Sequence, residues 1–201
     1  MNAQLNDWNN IMSRTTTGQA KVLTDMQQRQ VLAVLTKQRE VCMFLLSVKA
    51  GLRALEIAGL QWRHVRGATL ELTSDICKGS KPRSVNIGRQ LRDALQEYRK
   101  ECGEPSDTQY LFPNQKMKGY PVTPNAVSKW FKFIYCERLG WEGFSSHSGR
   151  RTAITKAARM VASVGGSLKD VQDMAGHASL ETTQIYIDGN TPAKQKLAEL
   201  L

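Results

Sequence analysis

The chain reads as a mainly α domain with a small antiparallel β-sheet, an α+β arrangement, and three observations predict it. Apolar residues recur at helical spacing in several stretches that open on capping residues. Short alternating or β-branched segments are confined to the span from Ala68 to Ile87. A length of 201 residues, 41% hydrophobic, suffices to bury one core. The expected division is an N-terminal arm or linker over 1–20, a folded core over 21–190 and a helical tail over 191–201.

The arm is polar and ends in Ser13-Arg14-Thr15-Thr16-Thr17-Gly18, with no sustained period. From Thr24, an N-cap, Met26, Val31, Val34 and Leu35 recur at helical spacing, and the run Val41 to Val48 predicts a buried helix ended by Gly51. Leu52 to Leu60 predicts a short helix carrying Arg53 and Glu56 on one face, before Gly59 and Gln61-Trp62 break the period. Ala68 to Thr73, Asp75 to Lys78 and Ser84 to Ile87 predict the sheet, with a turn at Gly79 and Pro82 crowded by Lys78, Lys81 and Arg83. Arg89 to Glu101 is again helical, and Cys102 to Tyr120 is a surface loop rich in Gly, Pro, Asn and Asp. Thr123-Pro124 opens a helix that turns Val127, Trp130, Phe131 and Ile134 inward. Four helical segments follow Gly143, over His147 to Val164, Ser167 to Ala175, Leu180 to Ile187 and Pro192 to Leu201.

Lysine and arginine outnumber aspartate and glutamate by 28 to 18, a net +10, so a polyanion is the partner this surface attracts without dedicated contacts. Cys42, Cys77, Cys102 and Cys136 form no C-x-x-C pair, which argues against a zinc site or a disulfide framework and for reduced packing residues in a cytoplasmic protein. The polar start and the lack of a long apolar run argue against export and membrane insertion.

The chemistry concentrates near the C-terminus, where two of the three histidines sit in His147-Ser148-Gly149-Arg150 and Gly176-His177, with Tyr186 following. Breaking a phosphodiester without a metal requires cations on the phosphoryl oxygens, a nucleophile, and a proton for the departing oxygen. Arg53 and Arg150 suit the first need, because a guanidinium is a permanently charged fork that matches two oxygens. His147 and Arg150 lie three apart on one helix, so both are expected to point to one spot. Gly149 between them permits a close approach of backbone or DNA, or is a packing allowance; both readings stand. His177, at a helix end, either donates a proton to phosphate or serves as a helix cap. Tyr186 offers a phenol whose pKa of about 10 calls for a base or a cationic pocket before it attacks. Lys78 on the turn is placed to protonate the leaving 5′ oxygen, whereas Lys81, Arg83 and Arg151 are expected on DNA.

These residues together resemble the tyrosine recombinase, or phage-type integrase, family. Gly51-Leu52-Arg53-Ala54-Leu55-Glu56 with Gly59-Leu60-Gln61-Trp62 is similar to its first arginine box, His147-Ser148-Gly149-Arg150 to its H-x-x-R box, and Gly176-His177 through Tyr186 to its nucleophile box. The resemblance runs from about Thr24 to Ile187 and implies the family's catalytic-domain fold. It also implies strand transfer without metal, ATP or other cofactor: Tyr186 attacks the scissile phosphate, leaving a 3′-phosphotyrosyl link and a free 5′-hydroxyl. Arg53, His147, Arg150 and His177 would surround the phosphate, Lys78 would be the general acid, and Glu56 would support Arg53. The implied partners are double-stranded DNA, further copies of the chain assembling on DNA as dimer to tetramer, and accessory DNA-bending proteins. The alternatives are a type IB topoisomerase-like relaxase and an inert DNA-binding module derived from an integrase.

The pattern departs from the family in two places. Only some twenty residues precede the core where members carry an N-terminal helical domain, so the chain reads as a single-domain member or a fragment. Asn86 stands where the hairpin strand commonly has proline, which leaves the choice between Lys78 and Lys81 open. The tail, with Ala193, Leu197, Leu200 and Leu201 on one face, packs on its own core or, the favoured reading, docks on a neighbouring subunit.

Overall fold

A computed structural model describes residues 19–77, 79 and 82–186. Helix α1 (Asp25–Val34) opens on Thr24, whose hydroxyl accepts from the Gln27 amide while the Gln27 side chain accepts from the Thr24 amide. Its inward face is carried by Gln28 and Val31, with Leu23 and Leu35 buried at its flanks, and Met26 is 68% exposed. Met26 therefore drops out of the expected apolar stripe, because it sits in the first turn on the outer side.

Helix α2 (Gln38–Val48) is the central rod. Every residue from Cys42 to Val48 is buried, which is why this run is apolar without a helical period. It packs against α4 (Arg89–Glu101) and α6 (Ser146–Met160). Beyond it the chain turns at Gly51, whose φ of +67° suits glycine, and enters α3 (Ala54–Gly59). This helix begins later than the sequence predicts. Arg53 is extended at the N-cap rather than on the helix, and the Glu56 carboxylate accepts from the Arg53 amide at 2.8 Å.

The sheet is antiparallel in the order β1 (Val65–Arg66), β2 (Thr69–Leu72), β3 (Arg83–Asn86). The strand expected over Asp75 to Lys78 is absent from its described part: Ile76 and Cys77 both turn into the core, and their amides make turn bonds to Thr73 and Ser74. Two adjacent inward side chains are incompatible with strand alternation. The third strand is instead β1, which reaches β2 through a turn at Gly67 with φ of +58°. Asn86 pairs with Thr69 at the exposed end of β3. Lys78 and Lys81 lie outside the described residues.

The expected surface loop after α4 runs as a strap that dips inward. Leu111 and Phe112 are fully buried, and the Tyr98 hydroxyl donates to the Leu111 carbonyl at 2.8 Å. Helix α5 (Pro124–Lys132) has Thr123 as cap and proline in its first turn, then widens into a π-helical turn over Phe133–Arg138. Ser145 caps α6, which ends at Met160 and passes into a 3-10 turn over Val161–Val164, so the segment expected to run to Val164 tightens in its last turn. Helices α7 (Leu168–Ala175) and α8 (Leu180–Gln184) complete the described chain. The tail over 191–201 and all but the last two residues of the arm lie outside it. Among the described residues no helix is long and apolar enough to cross a membrane.

Gly149 is settled by packing. A Cβ there would lie 2.9 Å from the Ser47 Cβ and 3.3 Å from its backbone carbonyl carbon, so α6 meets α2 at this glycine. Gly149→Ala is expected to destabilise the fold by about 1–3 kcal/mol through overpacking, despite alanine's preference for helix of roughly 1 kcal/mol. Urea unfolding checks it, and an unchanged midpoint would mean that the two helices are free to separate.

Candidate active site

The C-terminal end of α7 gathers three arginines. Successive carbonyls each accept from a different one: Met174 from Arg83 Nε at 3.1 Å, Ala175 from Arg150 Nη2 at 2.7 Å, and Gly176 from Arg53 Nη2 at 3.3 Å. These are groups that a helix leaves without internal partners, and they carry the negative end of its dipole. The helix stops there because Gly176 adopts φ of +62°, and because its missing side chain makes room for Arg83: a Cβ would come within 3.0 Å of that side chain's Cδ and Nη1.

One carboxylate balances the cluster. Glu56 is fully buried on α3; its Oε1 accepts from Arg53 Nη1 at 2.9 Å and Arg83 Nη1 at 2.7 Å, while Oε2 accepts from Arg83 Nη2 at 3.0 Å. Burial alone would push this carboxyl up, but the two-pronged bond and charge of Arg83, with the Arg53 amide and charge, hold it below the usual carboxylate value. Arg150 is 5% exposed and also donates from Nη1 to the Gly51 carbonyl at 2.6 Å. Burial and then the charge of Arg53 pull it down to about 10, still a cation at neutral pH. The surplus of guanidinium over carboxylate makes this a place for an anion.

His177 follows directly on the cluster. Its Nδ1 lies 2.9 Å from the Thr183 hydroxyl on α8, and the Gln172 amide group donates to its carbonyl. Tyr186, one turn past Thr183, stacks on the imidazole with ring centroids 5.7 Å apart and planes 19° from parallel. The phenol ring rests on the small cluster of Ile154, Ala158, Val171 and Ala175 between α6 and α7. Arg151 lies over its other neighbourhood, the guanidinium carbon 5.9 Å from the ring centroid, and contacts Gln19.

Burial, then the charges of Arg150, Arg53 and Arg83, lower the pKa of His177 to about 4, so the ring is neutral at pH 7. The unfolded chain takes that proton near 6.5, so between the two values the unfolded state binds more protons. The corresponding stability is complete above about pH 6.5 and is lost as the pH falls towards about 4. Urea midpoints at pH 7, 5 and 4 are therefore expected to fall less steeply in His177→Gln than in the parent protein; equal slopes would contradict the buried neutral ring.

The structure thus brings Arg53, Glu56, Arg150, His177 and Tyr186 together. His147 is exposed on the first turn of α6, and Arg150 is buried a turn later. Arg83 corrects the sequence reading. Its side chain, expected on DNA, is 9% exposed and bound to Glu56 and to the Met174 carbonyl. The signal that could have found it was Glu56 itself, a carboxylate among Leu55, Ile57 and Ala58, because a buried charge demands paired cations. The third histidine, His64, is a structural group that accepts from the Gln61 amide through Nδ1. Among the described residues no three His, Cys, Asp or Glu side chains gather as a metal-ligand set.

Known proteins are similar to this chain in sequence and in fold. The sequence model of the phage integrase family matches residues 21–192. The tyrosine recombinase XerC of Pediococcus pentosaceus is 29% identical over 169 residues, covering 81% of this chain and 53% of that protein. XerC of Xylella fastidiosa is 31% identical over 150 residues, covering 74% and 48%. The chain therefore spans about half the length of the curated relatives it matches. The crystal structure of XerA recombinase superposes with a TM-score of 0.72 at 22% identity, over 89% of this chain and 64% of that one. The Tn1549 transposon integrase, solved in complex with a circular intermediate DNA, gives 0.74 at 18% identity, over 94% and 68%. With its match extending over all but the two ends of the sequence, the chain belongs to the phage integrase family.

Proposed function

We propose that the chain is the catalytic part of a site-specific DNA recombinase that cuts and rejoins strands through a covalent tyrosine link. The observation that carries this reading is the arginine cluster at the end of α7 lying beside the His177–Tyr186 stack. An anion seated against Arg53 and Arg150 meets donors already fixed by Glu56 and by backbone carbonyls, so little reorganisation is needed as charge builds on the phosphorus. The Tyr186 phenol gives its proton to solvent as its oxygen bonds to phosphorus, the bond to the 5′ oxygen breaks, and that oxygen takes its proton from Lys78 or Lys81. The product is a 3′-phosphotyrosyl link with a free 5′-hydroxyl. The reverse attack, by that hydroxyl or one from another duplex, rejoins the strand. His147, at the exposed edge, and His177 hold phosphoryl oxygens, and Arg151 is a contact to DNA next to the nucleophile. Exchange between duplexes requires further copies of the chain on DNA, and accessory DNA-bending proteins fit such an assembly. The reaction needs neither metal nor ATP and belongs in the cytoplasm, where DNA is accessible.

The test is covalent capture. The protein is incubated with a pool of nicked duplexes of randomised sequence, in which the short 5′-hydroxyl fragment released between the cut and the nick diffuses away, and is then denatured. A DNA-bearing protein band is expected, and its absence at any protein concentration that saturates duplex binding would refute the reading.

A further inference from the structure

We propose that Arg83 is a positioning residue of this site, joining the Glu56 carboxylate to the Met174 carbonyl and so setting Arg53 and the Gly176-His177 corner against β3. The inference rests on the strand-transfer reading above and assigns the site a part that contacts neither DNA nor the reacting atoms.

Arg83 is the first residue of β3, two positions after Lys81 in the sequence. From there one guanidinium reaches two elements remote in sequence. It spans both oxygens of Glu56, 27 residues away, and its Nε holds Met174, 91 residues away. Glu56 in turn orients Arg53, since Oε1 is shared between Arg53 Nη1 and Arg83 Nη1, and Oε2 between the Arg53 amide and Arg83 Nη2. Moving Arg83 therefore moves the oxygen that aims Arg53. At the other end, the Met174 carbonyl lies two residues before Gly176 and three before His177, so the same side chain fixes where the His177 corner sits relative to the hairpin.

Two further features fit a built-in brace. Gly176 leaves the space that the Arg83 side chain fills. The Cys77 sulfur accepts from Arg83 Nη1 at 3.7 Å, tying the near side of the turn to the same group. Lysine cannot replace this brace, because an ammonium lacks the planar fork that engages both carboxylate oxygens while a third N–H holds a carbonyl. All three nitrogens of Arg83 already donate to protein acceptors, which leaves it unsuited to a phosphate contact.

The experiment compares Arg83→Lys and Arg83→Gln with the parent protein on a duplex recovered from covalent capture. Single-turnover attachment is expected to slow by about 10-fold or more in Arg83→Lys and by about 100-fold in Arg83→Gln, the scale of disturbing one preorganised donor set. Duplex affinity should stay within about threefold, because no phosphate contact is lost. In parallel, NMR follows the His177 ring without DNA: its titration should move upward in Arg83→Gln, where a neighbouring cation is removed. If Arg83→Gln does not fold, the rate of Arg83→Lys decides. A folded Arg83→Lys protein attaching within threefold of the parent rate, or losing affinity as much as rate, would overturn the proposal. Should the parent protein itself give no covalent product, the strand-transfer reading falls, and the His177 titration alone judges Arg83: an unmoved midpoint in Arg83→Gln overturns it.

Discussion

Tyr186→Phe is expected to abolish covalent capture of DNA while leaving duplex affinity within about threefold of the parent value. Complete loss is expected because, in the proposed mechanism, the missing oxygen is the atom that bonds to phosphorus, and no general acid or cation compensates for an absent nucleophile. Binding survives because the ring keeps its place. Phenylalanine preserves the stack on His177 and the contact with Ile154, Ala158, Val171 and Ala175, and Arg151 still faces a π-surface. The electrostatic attraction of the basic surface for DNA is untouched by the change. Denaturing electrophoresis and an equilibrium binding titration on one duplex measure the two quantities. Covalent product persisting in the Phe protein would assign the nucleophile elsewhere.

Arg150→Ala is expected to slow attachment by at least about 100-fold, as for removal of one fixed donor to a charge-bearing transition state. Two N–H groups of this guanidinium are taken by the Gly51 and Ala175 carbonyls, which lock its plane and leave its remaining donors for an anion. The substitution also strands two buried carbonyls, with a stability loss of about 1–3 kcal/mol, so rates are compared at a temperature where both proteins are folded. Arg150→Lys should fall close to alanine, since one ammonium cannot bridge carbonyls on the α2–α3 connection and on α7 while facing a phosphate. Attachment within a few fold of the parent rate in folded Arg150→Ala would remove Arg150 from the phosphate.

Much of this architecture is legible from local chemistry. Thr24, Thr123 with Pro124, and Gly176 after α7 mark helix ends in the sequence, and the structure puts boundaries within a residue or two of them. The motif residues Arg53, Arg150, His177 and Tyr186 were also legible as a set, through residue type and order. What local chemistry did not reveal depends on contacts between distant segments. β1 is two residues long and exists only by pairing with β2, so no periodicity announces it. Ile76 and Cys77 look like half a strand until the core claims both. Arg83 reads as one more cation on a basic turn, because its neighbours are Lys78 and Lys81, whereas its partner lies on α3.

The central claim is chemical, that the phenol oxygen of Tyr186 becomes the link between protein and DNA. Mass spectrometry of the captured adduct tests it most directly. After nuclease treatment and trypsin digestion, the peptide Asp170–Lys194 is expected to carry a deoxynucleoside 3′-phosphate on Tyr186, and no other peptide should carry one. A nucleotide found on a different side chain, or a captured complex whose Asp170–Lys194 peptide is unmodified, would contradict the account.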